Sequence, residues 1–197
     1  MGPLLRSRAA SRRGARLAVA LRAGRMRYVA GLLLALLASG ASAAPPVIEL
    51  SERDRAELLQ AATGVRSAIL RKDVGALLKL IGSEGLMCTD TQYSYTNVRR
   101  DLYNRSSHLY LSLFDSVRFA AKCGADYPSE YPAKSDQDFF EHMPDSPIDV
   151  TFAKKDYATV TYRSTVKGYY PLAYSFHKEQ GRWKLVEGLI VGNCACG

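Results

Sequence analysis

The C-terminal part of this 197-residue chain alternates apolar and polar residues with a period of two. The alternating runs lie at 148–152, 158–166, 170–176 and 183–189, and short turn signals separate them, at Lys154-Lys155-Asp156, Lys167-Gly168 and Glu179-Gln180-Gly181. Strands with one buried face and tight connections produce this pattern. The alternation therefore predicts an antiparallel meander, and it restricts the chain to folds that contain such a sheet.

The residues before the meander have helical spacing instead. Apolar residues between 58 and 69 form one stripe of a helix that begins at Ser51, and a shorter helix follows Asp73. We also expect a short strand at 86–88, a third helix over 97–114 and a short helix over 136–142 with Ser135 as its cap. Helices followed by a meander predict a segregated α+β fold.

This order of elements resembles the NTF2-like, or cystatin-like, α+β roll over residues 49–191. The stretch Gly181-Arg182-Trp183-Lys184-Leu185-Val186 looks like the closing strand of many members. The resemblance implies N-terminal helices packed on the concave face of a curved antiparallel meander sheet. Uncharacterised exported bacterial proteins are similar, and the pattern carries no catalytic motif with it.

Residues 26–44 are typical of a secretory signal peptide. The stretch begins with positive charge, continues with about ten apolar residues and ends in a small-residue cleavage site, Ala41-Ser42-Ala43. We therefore expect residues 1–43 to be a signal peptide and 44–197 a single α+β domain, periplasmic or secreted, with no stable membrane anchor after cleavage. The arginine-rich stretch before Met26 has two explanations: Met26 is the true start, or Arg12-Arg13 belongs to a twin-arginine export signal.

Export changes the interpretation of the charge. The chain has a formal net charge of +8, and residues 1–43 contain eight arginines but no lysine or acidic residue. Residues 44–197 are therefore formally neutral. A basic protein would suggest a nucleic-acid or anionic membrane partner. For the neutral mature chain we expect no nucleic-acid partner.

The chain contains four cysteines, Cys88, Cys123, Cys194 and Cys196. In an oxidising compartment an even number of cysteines predicts disulfides. Cys194 and Cys196 are too close in sequence to bond well to each other, so we expect each to pair with one of the other two. The alternatives are a thiolate metal site and partial pairing that leaves a free thiol.

Glu187 is the main candidate for acid–base chemistry. If the alternation of the last strand holds, its carboxylate shares a face with Trp183 and Leu185, and apolar surroundings raise a carboxyl pKa. A rim position or a salt bridge with Arg163 is the alternative. Asp90, Tyr174 and His108 are weaker candidates, and the histidines have no metal-ligand spacing, so we expect neither a metal nor a cofactor.

The chain has twelve tyrosines, of which Tyr110, Tyr162 and Tyr174 are expected to line a concave ligand cavity. Tyrosine combines apolar surface with a polar tip, which suits a binding site, although half-buried core is the ordinary alternative. The sequence favours a non-enzymatic module that binds a small ligand or a periplasmic protein. The alternatives are a small enzyme of the ketosteroid-isomerase or cyclase type, and an immunity or hydrolase-inhibitor protein that acts through 126–138.

Overall fold

A computed structural model describes residues 50–88 and 91–189. They belong to one compact unit of the chain, Ala43–Gly197, and the other unit, Met1–Ser42, lies outside the described residues. The predicted signal peptide and the choice of start residue also lie outside them. Within the described part, no helix combines the length and apolar character that crossing a membrane requires.

Every α-helix within 50–88 and 91–189 begins where a serine or aspartate side chain accepts a hydrogen bond from the first turn. Such a cap satisfies an amide that the helix leaves unpaired, and it stabilises by about 1 kcal/mol. The predicted helices after Ser51 and Asp73 and over 136–142 are confirmed. The helices and their caps are α1 (Glu52–Leu70, Ser51), α2 (Val74–Leu80, Asp73), α3 (Tyr95–Tyr103, Ser94), α4 (His108–Phe114, Ser107), α5 (Ser116–Cys123, Asp115) and α6 (Asp136–His142, Ser135).

The prediction of one helix over 97–114 is wrong, because the structure has two helices there, α3 and α4. Asn104 leaves the helical conformation, and its carbonyl accepts a 2.9 Å hydrogen bond from the Ser107 amide. Asparagine and serine side chains compete with a helical backbone and favour turns and caps. The apolar spacing continues across the break because both helices bury leucines in one core. Helix α5 lies where no helix was predicted.

Six strands form one sheet in the order β2-β1-β6-β5-β4-β3. The predicted meander of the last four strands and the short strand at 86–88 are confirmed. The sheet is mixed, however, because β1 runs parallel to β6, with Met87 opposite Glu187. The strands are β1 (Leu86–Cys88), β2 (Thr91–Tyr93), β3 (Ile148–Lys154), β4 (Tyr157–Tyr162), β5 (Leu172–Glu179) and β6 (Arg182–Glu187).

The helices cover one face of this sheet. Helix α1 packs against β4 and β6, and α2 packs against β6. Trp183 projects from that face and donates a 3.1 Å hydrogen bond to the carbonyl of Asp54 in α1. The largest fully buried side chains on the covered face are Tyr162, Tyr174, Phe176 and Leu185. The fold class is thus α+β with the helices on one side of the sheet, as predicted.

Candidate ligand-binding site

A cavity of about 50 Å³ lies beside the start of β5, and we call it the aromatic cavity. Helices α4, α5 and α6 and the loop at 168–170 form its walls. Its aromatic lining is Phe119, Tyr127, Phe139, Tyr169 and Tyr170. Its polar lining is Ser112, Lys134, Ser135 and Asp136. Ligand sites commonly have such mostly apolar walls with a few placed polar groups.

Two serines position the carboxyl group of Asp136 in this cavity. The amide of Ser135 donates a 2.7 Å hydrogen bond to the hydroxyl of Ser116, which donates in turn to the Ser135 hydroxyl at 3.0 Å. Ser135 also caps α6 by accepting from the Asp138 amide. The start of α6 is thereby tied to the start of α5. Asp136, the first residue of α6, is held in the interior.

Asp136 is a buried acid with little compensation for its charge. Its side chain is 4% exposed, and it accepts a 2.8 Å hydrogen bond from the Tyr174 hydroxyl. Burial raises its pKa to about 7, and the hydrogen bond from Tyr174 opposes that rise. Desolvation disfavours the charged form, which is the physical cause of the shift. No ion pair to Asp136 is found within 50–88 and 91–189.

Asp138, two residues further along α6, has the opposite environment. It accepts a 2.8 Å hydrogen bond from the Tyr169 hydroxyl, and the ammonium group of Lys134 lies 3.5 Å from its carboxylate. The same ammonium lies 3.9 Å from the centre of the Tyr169 ring. The contact with Tyr169 is the main cause of a raised Lys134 pKa. Lys134 and Asp138 therefore compensate each other at the edge of the aromatic cavity.

An open cleft of about 370 Å³ adjoins the aromatic cavity, and we call it the outer cleft. The two share Gly168, Tyr169 and Tyr170 in their linings. The ring of Tyr170 stacks on that of Tyr131, with 4.2 Å between centroids and 21° between planes. These two side chains are 45% and 38% exposed. A flat aromatic surface thus faces solvent beside the cavity.

None of the three tyrosines predicted to bind a ligand lines the aromatic cavity or the outer cleft. Tyr162 and Tyr174 are fully buried in the core and are absent from the lining of the aromatic cavity and the outer cleft. Tyr174 reaches the cavity only through its hydrogen bond to Asp136. Tyr110 is half-buried, and its ring lies 4.9 Å from that of Phe114. The residues that do line the site lie mostly in loops, where periodicity gives no signal.

Glu187 does not share a face with Trp183 and Leu185, so that expectation is wrong. The register of β5 and β6 pairs Phe176 with Leu185 but Ser175 with Glu187, leaving Val186 as an extra residue in a bulge. A bulge reverses the alternation of the side chains that follow it. Glu187 therefore projects from the other face of the sheet and accepts a 3.0 Å hydrogen bond from the Tyr157 hydroxyl.

Glu187 lies in a different pocket from Asp136. Glu187 and His177 line a pocket of about 220 Å³ on the uncovered face of the sheet. Arg163, the alternative partner of Glu187, forms its ion pair with Asp149 instead. Asp90 lies outside the described residues. Among the described residues, no three potential ligands of the His, Cys, Asp and Glu types are grouped as a metal site.

The expected disulfide at Cys123 is absent, because Cys123 is a free, buried thiol. Its sulfur lies 3.4 Å from Nδ1 of His108. Burial lowers the pKa of His108, whose Nε2 atom has no hydrogen-bond partner within the described part of the chain. This pair packs in a small apolar cluster with Phe119. Cys88 is buried on β1, and its pairing with Cys194 or Cys196, which lie outside the described residues, stays a prediction.

Two solved structures are similar to this chain. One is a protein of unknown function with a cystatin-like fold from Nostoc punctiforme, 13% identical, with a TM-score of 0.39 over 71% of this chain and 91% of that chain. The other is an NTF2-like protein from Cytophaga hutchinsonii, 13% identical, with a TM-score of 0.35 over 71% of this chain and 96% of that chain. No protein-family model and no curated protein matches the chain. At this identity and these TM-scores, the similarities say nothing about function.

Proposed function

We propose that this chain is an exported, non-enzymatic binding module that takes a small ligand in the aromatic cavity and the outer cleft. The observation that carries the proposal is the stacked pair of Tyr131 and Tyr170, half-exposed beside a cavity with few polar groups, most of them buried. Tyrosine rings give a large contact area with few rotatable bonds, so little entropy is lost on binding. The pair therefore suits contact with a flat or apolar group.

The arrangement favours a small molecule over a large one. The aromatic cavity holds about 50 Å³, and the adjoining outer cleft holds about 370 Å³ and is open to solvent. A compact polar group can enter the first while a larger apolar part rests in the second. Phe140 and Tyr174 lie beneath the helices, are at most 1% exposed and line neither the cavity nor the cleft.

The sequence of residues 1–43 supports export, since it contains positive charge, an apolar run and a small-residue cleavage site. N-terminal sequencing of the protein recovered from outside the cytoplasm tests this part of the proposal. We expect the mature chain to begin at Ala44. An intact N terminus on protein found in the cytoplasm would overturn it.

Native mass spectrometry of the protein purified from its own compartment tests the binding proposal. We expect a co-purifying small molecule that is lost in Tyr170→Ala and kept in Tyr103→Ala. Tyr103 is the matched control, since it is 61% exposed on α3 and lines neither the cavity nor the cleft. Equal ligand occupancy in the two variants would place binding elsewhere. A stoichiometric protein partner in place of a small molecule would favour an inhibitor or immunity role.

A second candidate function is an acid–base enzyme of the isomerase or cyclase type, and Asp136 is the observation that favours it. A carboxyl group with a pKa of about 7, lining a cavity, has the proton affinity that a general acid or base needs. The test is solvent-deuterium exchange of a small enolisable ketone, cyclopentanone, followed by NMR. Exchange above the buffer rate that disappears in Asp136→Asn would support the enzyme, and no exchange above that rate would reject it.

A further inference from the structure

Two aspartates on one turn of α6 differ in whether a cation accompanies them. Asp138 has the ammonium group of Lys134 at 3.5 Å and the imidazole of His142 at 3.5 Å. Asp136 is the more deeply buried, yet the single hydrogen bond to its carboxyl group within 50–88 and 91–189 comes from a neutral hydroxyl, that of Tyr174. A buried carboxylate without a cation is unfavourable, so a bound cation would stabilise it strongly.

The walls of the aromatic cavity also suit a cation. The faces of aromatic rings are electron-rich and attract an ammonium or guanidinium group within about 6 Å of the ring centre. The protein itself shows this contact at the edge of the cavity, where the Lys134 ammonium lies 3.9 Å from the centre of the Tyr169 ring. Phe119 and Phe139 bring further rings to the same space.

We propose that the aromatic cavity binds the ammonium group of an organic amine, with the Asp136 carboxylate as its counter-ion and the rings as its walls. This inference rests on the proposed binding function and names the ligand class. The volume of about 50 Å³ admits a head group of a few non-hydrogen atoms. The apolar remainder of the amine lies against Tyr131 and Tyr170 in the outer cleft.

Binding of an amine to Asp136 depends on pH with a definite sign. The ionised carboxylate is the form that pairs with a cation, and the Asp136 pKa is about 7. Amine affinity therefore rises by about tenfold per pH unit below pH 7 and levels off above it. A neutral ligand that accepts a hydrogen bond from protonated Asp136 would show the reverse slope.

The other titratable groups near Asp136 do not mimic this dependence. The pKa values of Tyr174 on β5 and of Tyr162 on β4 are both raised above the ordinary value of 10.0. The pKa of Lys134 is also raised. All three keep their charge state between pH 5.5 and 8. His142 contacts Asp138 and Tyr169 and not Asp136.

The experiment compares benzylamine with benzyl alcohol, which has the same shape but no charge. Affinities are measured by NMR titration from pH 5.5 to 8 with the wild-type protein, Asp136→Asn and Asp149→Asn. We expect benzylamine to bind at least tenfold more tightly than benzyl alcohol at pH 8, and to lose that advantage in Asp136→Asn. Asp149→Asn removes a half-buried carboxylate that pairs with Arg163 and lines neither the cavity nor the cleft, so it should change neither affinity.

Each other outcome has a distinct meaning. If both probes bind equally, or if Asp136→Asn leaves benzylamine affinity unchanged, the cation inference is wrong while the binding function stands. A wild-type amine affinity that falls as pH rises also overturns it, even if the Asp136→Asn protein does not fold. If neither probe binds at millimolar concentration and the Tyr170→Ala protein keeps its co-purified molecule, both proposals are wrong.

Discussion

The hydroxyl of Tyr174 donates a 2.8 Å hydrogen bond to the carboxyl group of Asp136, which lies 38 residues earlier in the chain. Both side chains are buried, and the contact joins β5 to the first residue of α6. The acid is therefore part of the packing between sheet and helix as well as of the cavity wall. Its ionisation should affect the stability of the fold, not only the binding of a ligand.

Asp136→Asn should change how stability depends on pH. The Asp136 pKa is about 7 in the folded state against an ordinary 3.8, so the folded chain binds this proton more tightly than the unfolded chain. The stabilising contribution is complete below pH 3.8 and is lost as pH rises through 7. Relative to the variant, the wild-type free energy of unfolding should fall by about 4 kcal/mol between pH 4 and 8.

Urea titrations followed by circular dichroism at each pH measure this difference. Asp149→Asn, which removes a half-buried carboxylate outside the cavity, is the control and should follow the wild-type dependence of stability on pH. Parallel stability curves for the wild-type protein and Asp136→Asn would contradict a raised pKa at this position.

Tyr174→Phe should destabilise the protein by about 1 to 3 kcal/mol, because it removes the hydroxyl that serves a buried carboxyl group. The ring itself is kept, so packing against Phe140 and Tyr162 changes little. Tyr103→Phe is the control at an exposed site and should lie within about 0.5 kcal/mol of wild type. Chemical denaturation at pH 6 compares the two, and equal stabilities would show that the hydrogen bond contributes nothing.

Gly188→Ala should be strongly destabilising. Gly188 has a φ of +107°, and a Cβ there would lie 2.1 Å from the carbonyl oxygen of Ala173 and 2.9 Å from Cα of Tyr174. Backbone must move to accept it, so we expect a loss of about 3 kcal/mol or more. Gly124→Ala is the control, since a Cβ at Gly124 meets nothing within 4 Å. Thermal unfolding of both variants measures the contrast, and similar midpoints would be evidence against the close approach of Gly188 to Ala173.

Cys123 should resist alkylation in the folded protein and react in denaturant without a reducing agent. It is a free thiol and 1% exposed, so a reagent such as iodoacetamide cannot reach it until the protein unfolds. Peptide mass spectrometry of unreduced protein shows whether this cysteine carries the label. Recovery of Cys123 in a disulfide with Cys194 or Cys196 would restore the pairing that the sequence suggested.

Features set by local chemistry could be predicted from the sequence. The caps at Ser51, Asp73 and Ser135 each satisfy an amide within three residues, and the alternation in 148–189 reports one buried face of a sheet. Features set by contacts distant in sequence could not. Nothing local marks Val186 as the extra residue of a bulge, and that residue alone decides which face receives Glu187.

The candidate site was missed for the same reason. Asp136 in the first turn of a helix looks like an ordinary exposed acid that complements the helix dipole. Its burial depends on Tyr174 and on Ser116, which anchors the start of α6. The stack of Tyr131 on Tyr170 joins two loops, 39 positions apart, that have no periodicity.

The last described strand, β6, lies in the middle of the sheet, between β1 and β5, and α1 and α2 pack on it. Helices α1 and α2 therefore lack one of the surfaces on which they pack until residues 182–187 have been synthesised. A nascent polypeptide that is still missing them has no complete core to close around. If the chain is exported as we propose, this late completion of the core keeps it incompletely folded while it passes through a translocation pore.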